Sequence, residues 1–419
     1  MYVSQVGSKL RAQIHDFSGK LSPRLSKPIG RFVEQMLYGI LVSKDVKLSQ
    51  IGRALEEPIS PKKTEDRLST NLNSDGLAGE LLDQVAGLGS RRVQKDALLI
   101  LDTSDIRKAY AKKMEYLARV RDGSKKELAD GYWLCDVIAC QSGGNDIIPL
   151  YQSLYSAAAP EHQSENDELL KAVDTVTEHC GTRGIWVADR GMDRNNIYNP
   201  LLDRKLRFIV RMRGDRNLIF RGRCRLTEDI ARGCPSCYQE EVVKETAGEE
   251  KTYRLAYGFR RVRLPGRTEE LYLVVVRGFG EVPLMLLTNL PLRRNRRVLW
   301  SVVEGYLTRW RIEEAIRFTK QSYNLEDIRV LTYRRLCNLT ALVLAASYFA
   351  AVHLGDRLRL AVLTRRVLQA ARRFYGIASF RYYAIADGIS YILRRLGKGP
   401  LCLSIPPPND RQLSFSKFP

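Results

Sequence analysis

Two short apolar runs, each closed by an aspartate, constrain the fold of this chain more than any other feature. Ala97-Leu98-Leu99-Ile100-Leu101 is followed at once by Asp102, and Gly184-Ile185-Trp186-Val187-Ala188 by Asp189. Runs this short and this uniformly apolar suit strands buried on both faces, each delivering a carboxylate at its end. Between them, Trp133 to Cys140 and Ile147 to Leu154 are strand candidates joined by the turn Ser142-Gly143-Gly144-Asn145, which implies a hairpin. Glu165 to Cys180 carries Leu169, Leu170, Val173 and Val176 at helical spacing, Asn195 to Leu206 is expected to be helical, and Phe208-Ile209-Val210 is a further short strand. The order strand, hairpin, helix, strand, helix, strand predicts a mixed α/β sheet rather than a doubly wound one.

The flanks differ in character. Residues 1–90 show helical periodicity, as in Ile29 to Val42 and Leu48 to Leu55. Pro58 and Pro61 then break the chain before Lys62-Lys63, which would open another helix with base and backbone contacts in its first turn. That pattern suits a helix-turn-helix module for DNA; a plain helical bundle with a solvated basic turn is the alternative. Residues 214–282 alternate β-branched and aromatic residues with polar turns and are expected to be all-β. A buried strand resumes at Leu284 to Thr288, and residues 296–355 are helical again. A basic helical segment over 356–396 leads into a Pro-rich tail at Pro406 to Pro408. The expected division is thus 1–90, 91–213, 214–282, 283–355 and 356–419. Leu336 to Gly355 lacks formal charge, but Asn338, Thr340, Ser347, Tyr348 and His353 favour a buried core helix over a membrane span. The first 25 residues lack the continuous apolar core of a secretory signal, so the mature protein is expected to begin at Met1.

Net charge narrows the partner. The chain has 419 residues, long enough for several domains, with 68 Lys and Arg against 47 Asp and Glu, a formal charge of +21, and only four histidines. A polyanion is the natural partner. Residues 293–400 hold 21 basic and 7 acidic side chains, +14 of that charge, including the cluster Arg293-Arg294-Asn295-Arg296-Arg297, where Arg296 and Arg297 are placed to contact phosphate. Eight cysteines are too sparse for a disulfide framework and point to a reducing, cytoplasmic setting. Cys234-Pro235-Ser236-Cys237, with Cys224 upstream, has zinc-ligand spacing but no fourth ligand nearby, and an ordinary tight turn is the simpler reading.

The strongest chemical signal is Tyr306-Leu307-Thr308-Arg309-Trp310-Arg311-Ile312-Glu313-Glu314, continuing to Lys320. On one continuous helix, Tyr306, Arg309, Glu313 and Lys320 fall within an arc of about 60°. A solvated face laced with ion pairs would give the same stripe. The two strand-terminal aspartates tip the balance: Asp102, Asp189 and Glu313 converging from two strands and a helix would hold hard divalent cations such as Mg²⁺ or Mn²⁺. Two such ions serve in-line displacement at phosphorus, with Arg309 and Lys320 holding substrate phosphates. Asp105 and Asp193 are weaker candidates, because neither directly follows an apolar run. Trp310 is expected to pack its helix against the sheet.

Tyr306, Arg309, Glu313 and Lys320 fill the spacing Tyr-x2-Arg-x3-Glu-x6-Lys, preceded by Asp102 and by Val187-Ala188-Asp189-Arg190-Gly191. This pattern resembles the bacterial insertion-sequence DDE transposases that carry a β-rich insertion before the final glutamate, over about residues 95 to 350. The resemblance implies a ribonuclease H-like core interrupted by an all-β insertion, with Asp102, Asp189 and Glu313 as a catalytic triad binding two Mg²⁺ ions. It implies that Tyr306, Arg309 and Lys320 contact DNA near the cleaved end and that Arg211 approaches the backbone. Relatives that form a DNA hairpin stack a flipped base on a tryptophan in the strand leaving the insertion. Here Leu284 and Met285 stand there, and Met285 is placed to wedge into a base step. The implied partners are the double-stranded terminal inverted repeats and target DNA, the implied assembly a homodimer bridging two ends on the bacterial nucleoid. A ribonuclease H-like nuclease without strand transfer and a non-catalytic transposase-derived DNA-binding protein are the alternatives.

Overall fold

Parallel pairing starts where the apolar runs lie. In the computed structural model, which describes residues 3–108, 111–121, 127–144, 146–246, 249–355, 381–397 and 399–400, strand β1 (Leu98–Arg107) runs parallel to β5 (Ile185–Ala188). β5 in turn runs parallel to β6 (Phe208–Arg211). On its other side β1 pairs antiparallel with β3 (Leu128–Cys140), whose far edge takes both β2 (Ala118–Arg121) and β4 (Ile148–Tyr155). β1 therefore does not stop at Asp102. Its partner β5 falls away after Ile100, but the ladder to β3 continues to Arg107 opposite Gly131.

Helix α6 (Glu165–Cys180) makes the crossover from β4 to β5. Ser164 accepts the Asp167 N–H at its start, and Glu165, Asp167 and Glu168 complement the positive end of its dipole. It ends at Gly181, whose φ of 58° a side chain would disfavour. Helix α7 (Asn195–Asp203) joins β5 to β6. β4, β3, β1, β5 and β6 thus lie side by side in a mixed α/β sheet.

The segment expected to be a separate all-β insertion continues that same sheet. β12 (Leu284–Thr288) pairs antiparallel with β6, followed outward by β11 (Leu271–Arg277), β10 (Glu249–Val262) and β9 (Tyr238–Thr246), giving ten strands in one sheet among the described residues. A small second sheet, β7 (Asn217–Phe220) with β8 (Arg223–Leu226), precedes a helix, α8 (Thr227–Arg232), so the segment is not purely β.

Helices α1 (Val3–Leu21), α2 (Lys27–Ser43), α3 (Leu48–Ala54), α4 (Pro61–Asn71) and α5 (Leu77–Ser90) form the amino-terminal region. They share one core with α11 (Tyr333–Ala351) and the carboxy-terminal helix Tyr382–Leu396, α5 and α2 packing on α11 and α1 on the carboxy-terminal helix. α11 is the uncharged run expected in the core, and its interior is buried. Its Asn338 is fully used: the side-chain amide donates to the Leu72 and Ser74 carbonyls and its oxygen accepts the Ala78 N–H. No helix among the described residues is long and apolar enough to cross a membrane. Most of the basic segment expected to be helical, 356–380, where Arg365-Arg366 and Arg372-Arg373 fall seven apart in the sequence, and the tail at 406–408 lie outside the described residues. Cys224, Cys234 and Cys237 carry free thiols, Cys234 and Cys237 both close to the Pro235 carbonyl.

Candidate active site

Strand register brings the first two carboxylates together. Leu98 faces Ile185 and Ile100 faces Val187, so extending the register by two residues sets Asp102 level with Asp189, which directly follows β5. Asp189 is held by the Gly191 N–H, donated to its Oδ1 at 2.7 Å. Burial pushes the Asp102 carboxyl up to about 6, Arg309 opposes the shift, and the charges on Asp189 and Glu313 add to it.

The third carboxylate arrives from helices that are not continuous. α9 (Arg296–Leu307) ends just after Tyr306, and α10 (Trp310–Ser322) begins after Arg309, so the expected single stripe is carried by two helices with a turn at Thr308 and Arg309. Tertiary contacts fix that turn. Thr308 Oγ1 donates to the Glu304 carbonyl and accepts the Gly143 N–H at 3.0 Å, while Ser142 Oγ donates to Glu304 Oε2 at 2.9 Å. The β3–β4 turn thus clamps the junction. Gly305 lets α9 lie close on the sheet, because a Cβ there would stand 3.2 Å from Ile209 Cδ1 and 3.3 Å from Leu98 Cδ2.

Arg309 links the parts. Its Nη1 donates to Asp102 Oδ2 and its Nη2 to Glu313 Oε1, each at 2.9 Å, with its side chain only 11% exposed. The Tyr306 ring lies 5.9 Å from its guanidinium. Burial works against the Arg309 charge, but Asp102, Tyr306 and Glu313 hold its pKa above the usual value. As placed, with the guanidinium between them, no three or more His, Cys, Asp or Glu side chains among the described residues form a group able to hold a metal ion. Asp102, Asp189 and Glu313 offer only carboxylate oxygens, the donor type that hard divalent cations take, and the Arg309 guanidinium already places a positive charge between two of them.

A cleft of about 750 Å³ adjoins this centre, lined among others by Arg211, Tyr306, Arg309 and Arg311. Val243, Val282 and Trp310 also line it and are exposed, Trp310 by 49%. Trp310 therefore faces the cleft rather than the sheet; it begins α10, beyond the turn that breaks the expected stripe. A second cleft of about 690 Å³ shares Arg211 and Val282 and takes in Arg190, Arg213, Arg277 and Met285. Met285 is 5% exposed, in the wall of that cleft. Lys320 reaches the Asp105 carbonyl on β1 and pairs with Glu326 at 3.1 Å. Arg296 and Arg297 occupy the first turn of α9, capped by Asn295, with Arg296 paired to Glu240 on β9 at 2.7 Å. Lys62 and Lys63 lie in the first turn of α4, both exposed, Lys62 paired with Asp66. Asp193 is a structural residue, accepting the Arg213 N–H at 2.7 Å and pairing with Arg216.

One acidic residue escaped the sequence reading. Asp136 on β3 is the direct cross-strand partner of Asp102, and burial pushes its carboxyl up to about 7. The available signal was a lone aspartate inside the apolar strand Trp133 to Cys140.

Residues 147–349 match the family model described as Transposase DDE domain. The match spans just under half of the chain, takes in Asp189 and Glu313, and begins beyond Asp102; this stretch is similar to transposase DDE domains. No curated protein matches the chain. Among solved structures, a cryo-EM structure of a piggyBac transposase synaptic complex with hairpin DNA is similar at a TM-score of 0.45 and 12% identity, over 96% of this chain and 84% of that one.

Proposed function

We propose that the chain is a DNA transposase that binds the ends of its own mobile element, cuts them at Asp102, Asp189 and Glu313, and transfers the freed 3′-hydroxyl ends to target DNA. The observation that carries this reading is Arg309 bridging Asp102 to Glu313 beside the register-matched Asp189, where Asp189, Arg309 and Glu313 lie in the stretch similar to transposase DDE domains and Asp102 joins them from the preceding strand. Asp102, Asp189 and Glu313 would hold two Mg²⁺ or Mn²⁺ ions, which when bound stabilise the entering and leaving oxygens of in-line displacement at phosphorus. Tyr306 supports the Arg309 guanidinium, and Arg309 and Arg211 offer donors in the cleft to phosphates flanking the cut. Lys320 fastens α10 to β1 and adds charge beside the same DNA. Arg296, Arg297, Lys62 and Lys63 supply backbone contacts farther out, and two copies bridge two ends; Met285, buried on β12, backs the cleft wall rather than entering a base step. In cleavage a water oxygen bonds to phosphorus as the P–O3′ bond breaks, the 3′-oxygen taking a proton. In transfer that 3′-oxygen bonds to a target phosphorus, displacing the target's own 3′-oxygen.

The test uses the purified chain, Mg²⁺, a labelled duplex from the DNA flanking its reading frame, and a plasmid target. Label joined to the plasmid, lost in Asp189→Ala, is the expected result. Cuts without joining would leave a nuclease, and cleavage unchanged in Asp189→Ala would overturn the triad.

A further inference from the structure

Four polar side chains cross the sheet at one level. Gln152 on β4 faces Asp136 on β3, Asp136 faces Asp102 on β1, and Asp102 is level with Asp189 after β5. Directly opposed residues of antiparallel strands share a face, with Cβ atoms about 5 Å apart. The outer two are deeply buried, Gln152 at 2% exposure and Asp136 at 5%. Gln152 Nε2 donates to Asp136 Oδ1 at 2.7 Å. That single bond leaves Asp136 Oδ2 and Gln152 Oε1 buried with no hydrogen-bond partner.

Both orphans are acceptors. A polar pair kept for stability alone would be expected to satisfy both ends, because buried polar atoms in native folds nearly always find partners. The buried Asp136 oxygen, directly across the strands from the Asp102 carboxylate, suits a hard cation. α10, which carries Glu313 and Lys320, packs on both their strands.

We infer that Asp136 is a fourth acidic group beside the cation site: Gln152 orients it through Oδ1, leaving Oδ2 for a water of the cation held at Asp102. This rests on the proposed role of Asp102. Asp136 is then a positioning residue, tuning how tightly the ion is held. The experiment is a Mn²⁺ titration of the full chain without DNA, followed by the electron paramagnetic resonance signal of free Mn²⁺. Asp136→Asn, which keeps the shape and the bond to Gln152, is expected to weaken Mn²⁺ binding about 10–100-fold. Its melting temperature should stay at or above that of the unsubstituted protein, since it removes a buried charge. Gln152→Leu, which removes the orienting donor, should weaken binding several-fold, and it carries the test should Asp136→Asn not fold. Unchanged Mn²⁺ affinity in these variants while Asp102→Asn loses binding would overturn this inference alone. A protein that takes up no Mn²⁺ at all would overturn it together with the proposed site.

Discussion

The sheet changes character at β6, and the two halves do different work. On one side β1, β5 and β6 run parallel, so equivalent ends lie together, and Asp102, Asp189 and Arg211 gather at one edge. On the other side β12, β11, β10 and β9 form an antiparallel ladder that contributes Leu284, Val242 and Val243 to the cleft wall and none of the three carboxylates. Parallel strands concentrate reactive groups at their carboxyl ends; an antiparallel ladder alternates its ends and is better suited to building surface. One continuous sheet thereby joins a reactive edge to a binding wall.

The sharpest way to break this comparison is to substitute one residue in each half. Asp102→Asn should lower DNA cleavage by about three orders of magnitude, the several kcal/mol expected from a lost metal ligand. Val243→Ser on β9 should change DNA affinity by less than about tenfold and leave the cleavage step intact. Equal losses in cleavage rate would mean that the wall takes part in the chemistry. Next in size is Arg309→Ala, which leaves Asp102 and Glu313 facing each other across a partly buried gap. A stability loss of about 1–3 kcal/mol is expected in urea unfolding, with Mn²⁺ recovering more of it than in the unsubstituted protein, because an ion can replace the guanidinium. Stability unchanged by the substitution would show that the bridge holds nothing together.

The strands at the reactive edge were legible because buried parallel strands leave uniform apolar runs, and Asp102 and Asp189 each directly follow one. Their separation of 87 residues is also the register offset, Leu98 facing Ile185, but only the pairing could reveal that. The break between α9 and α10 was not legible, since Thr308 is fixed by Gly143, 165 positions away. Asp136 was overlooked because one aspartate in a strand resembles a solvent-facing position until the neighbouring strands are placed. The continuity of the insertion with the core sheet depends on β12 pairing with β6, a contact that alternation within either strand does not encode.

The smallest expected effect on chemistry comes from the helical layer. Asn338→Ala removes the three hydrogen bonds that tie α11 to the α4–α5 junction and should cost about 1–3 kcal/mol of stability. Cleavage per folded molecule should stay unchanged, measured alongside the unfolding curve. A matching loss of cleavage would tie the helical layer to the reactive edge.

The most direct measurement of the central claim is anomalous X-ray scattering from crystals grown with Mn²⁺. The account predicts density in contact with Asp102 and Asp189, with Arg309 turned away from Asp102. Crystals without that density, and with Arg309 still bonded to Asp102 and Glu313 at saturating Mn²⁺, would contradict it.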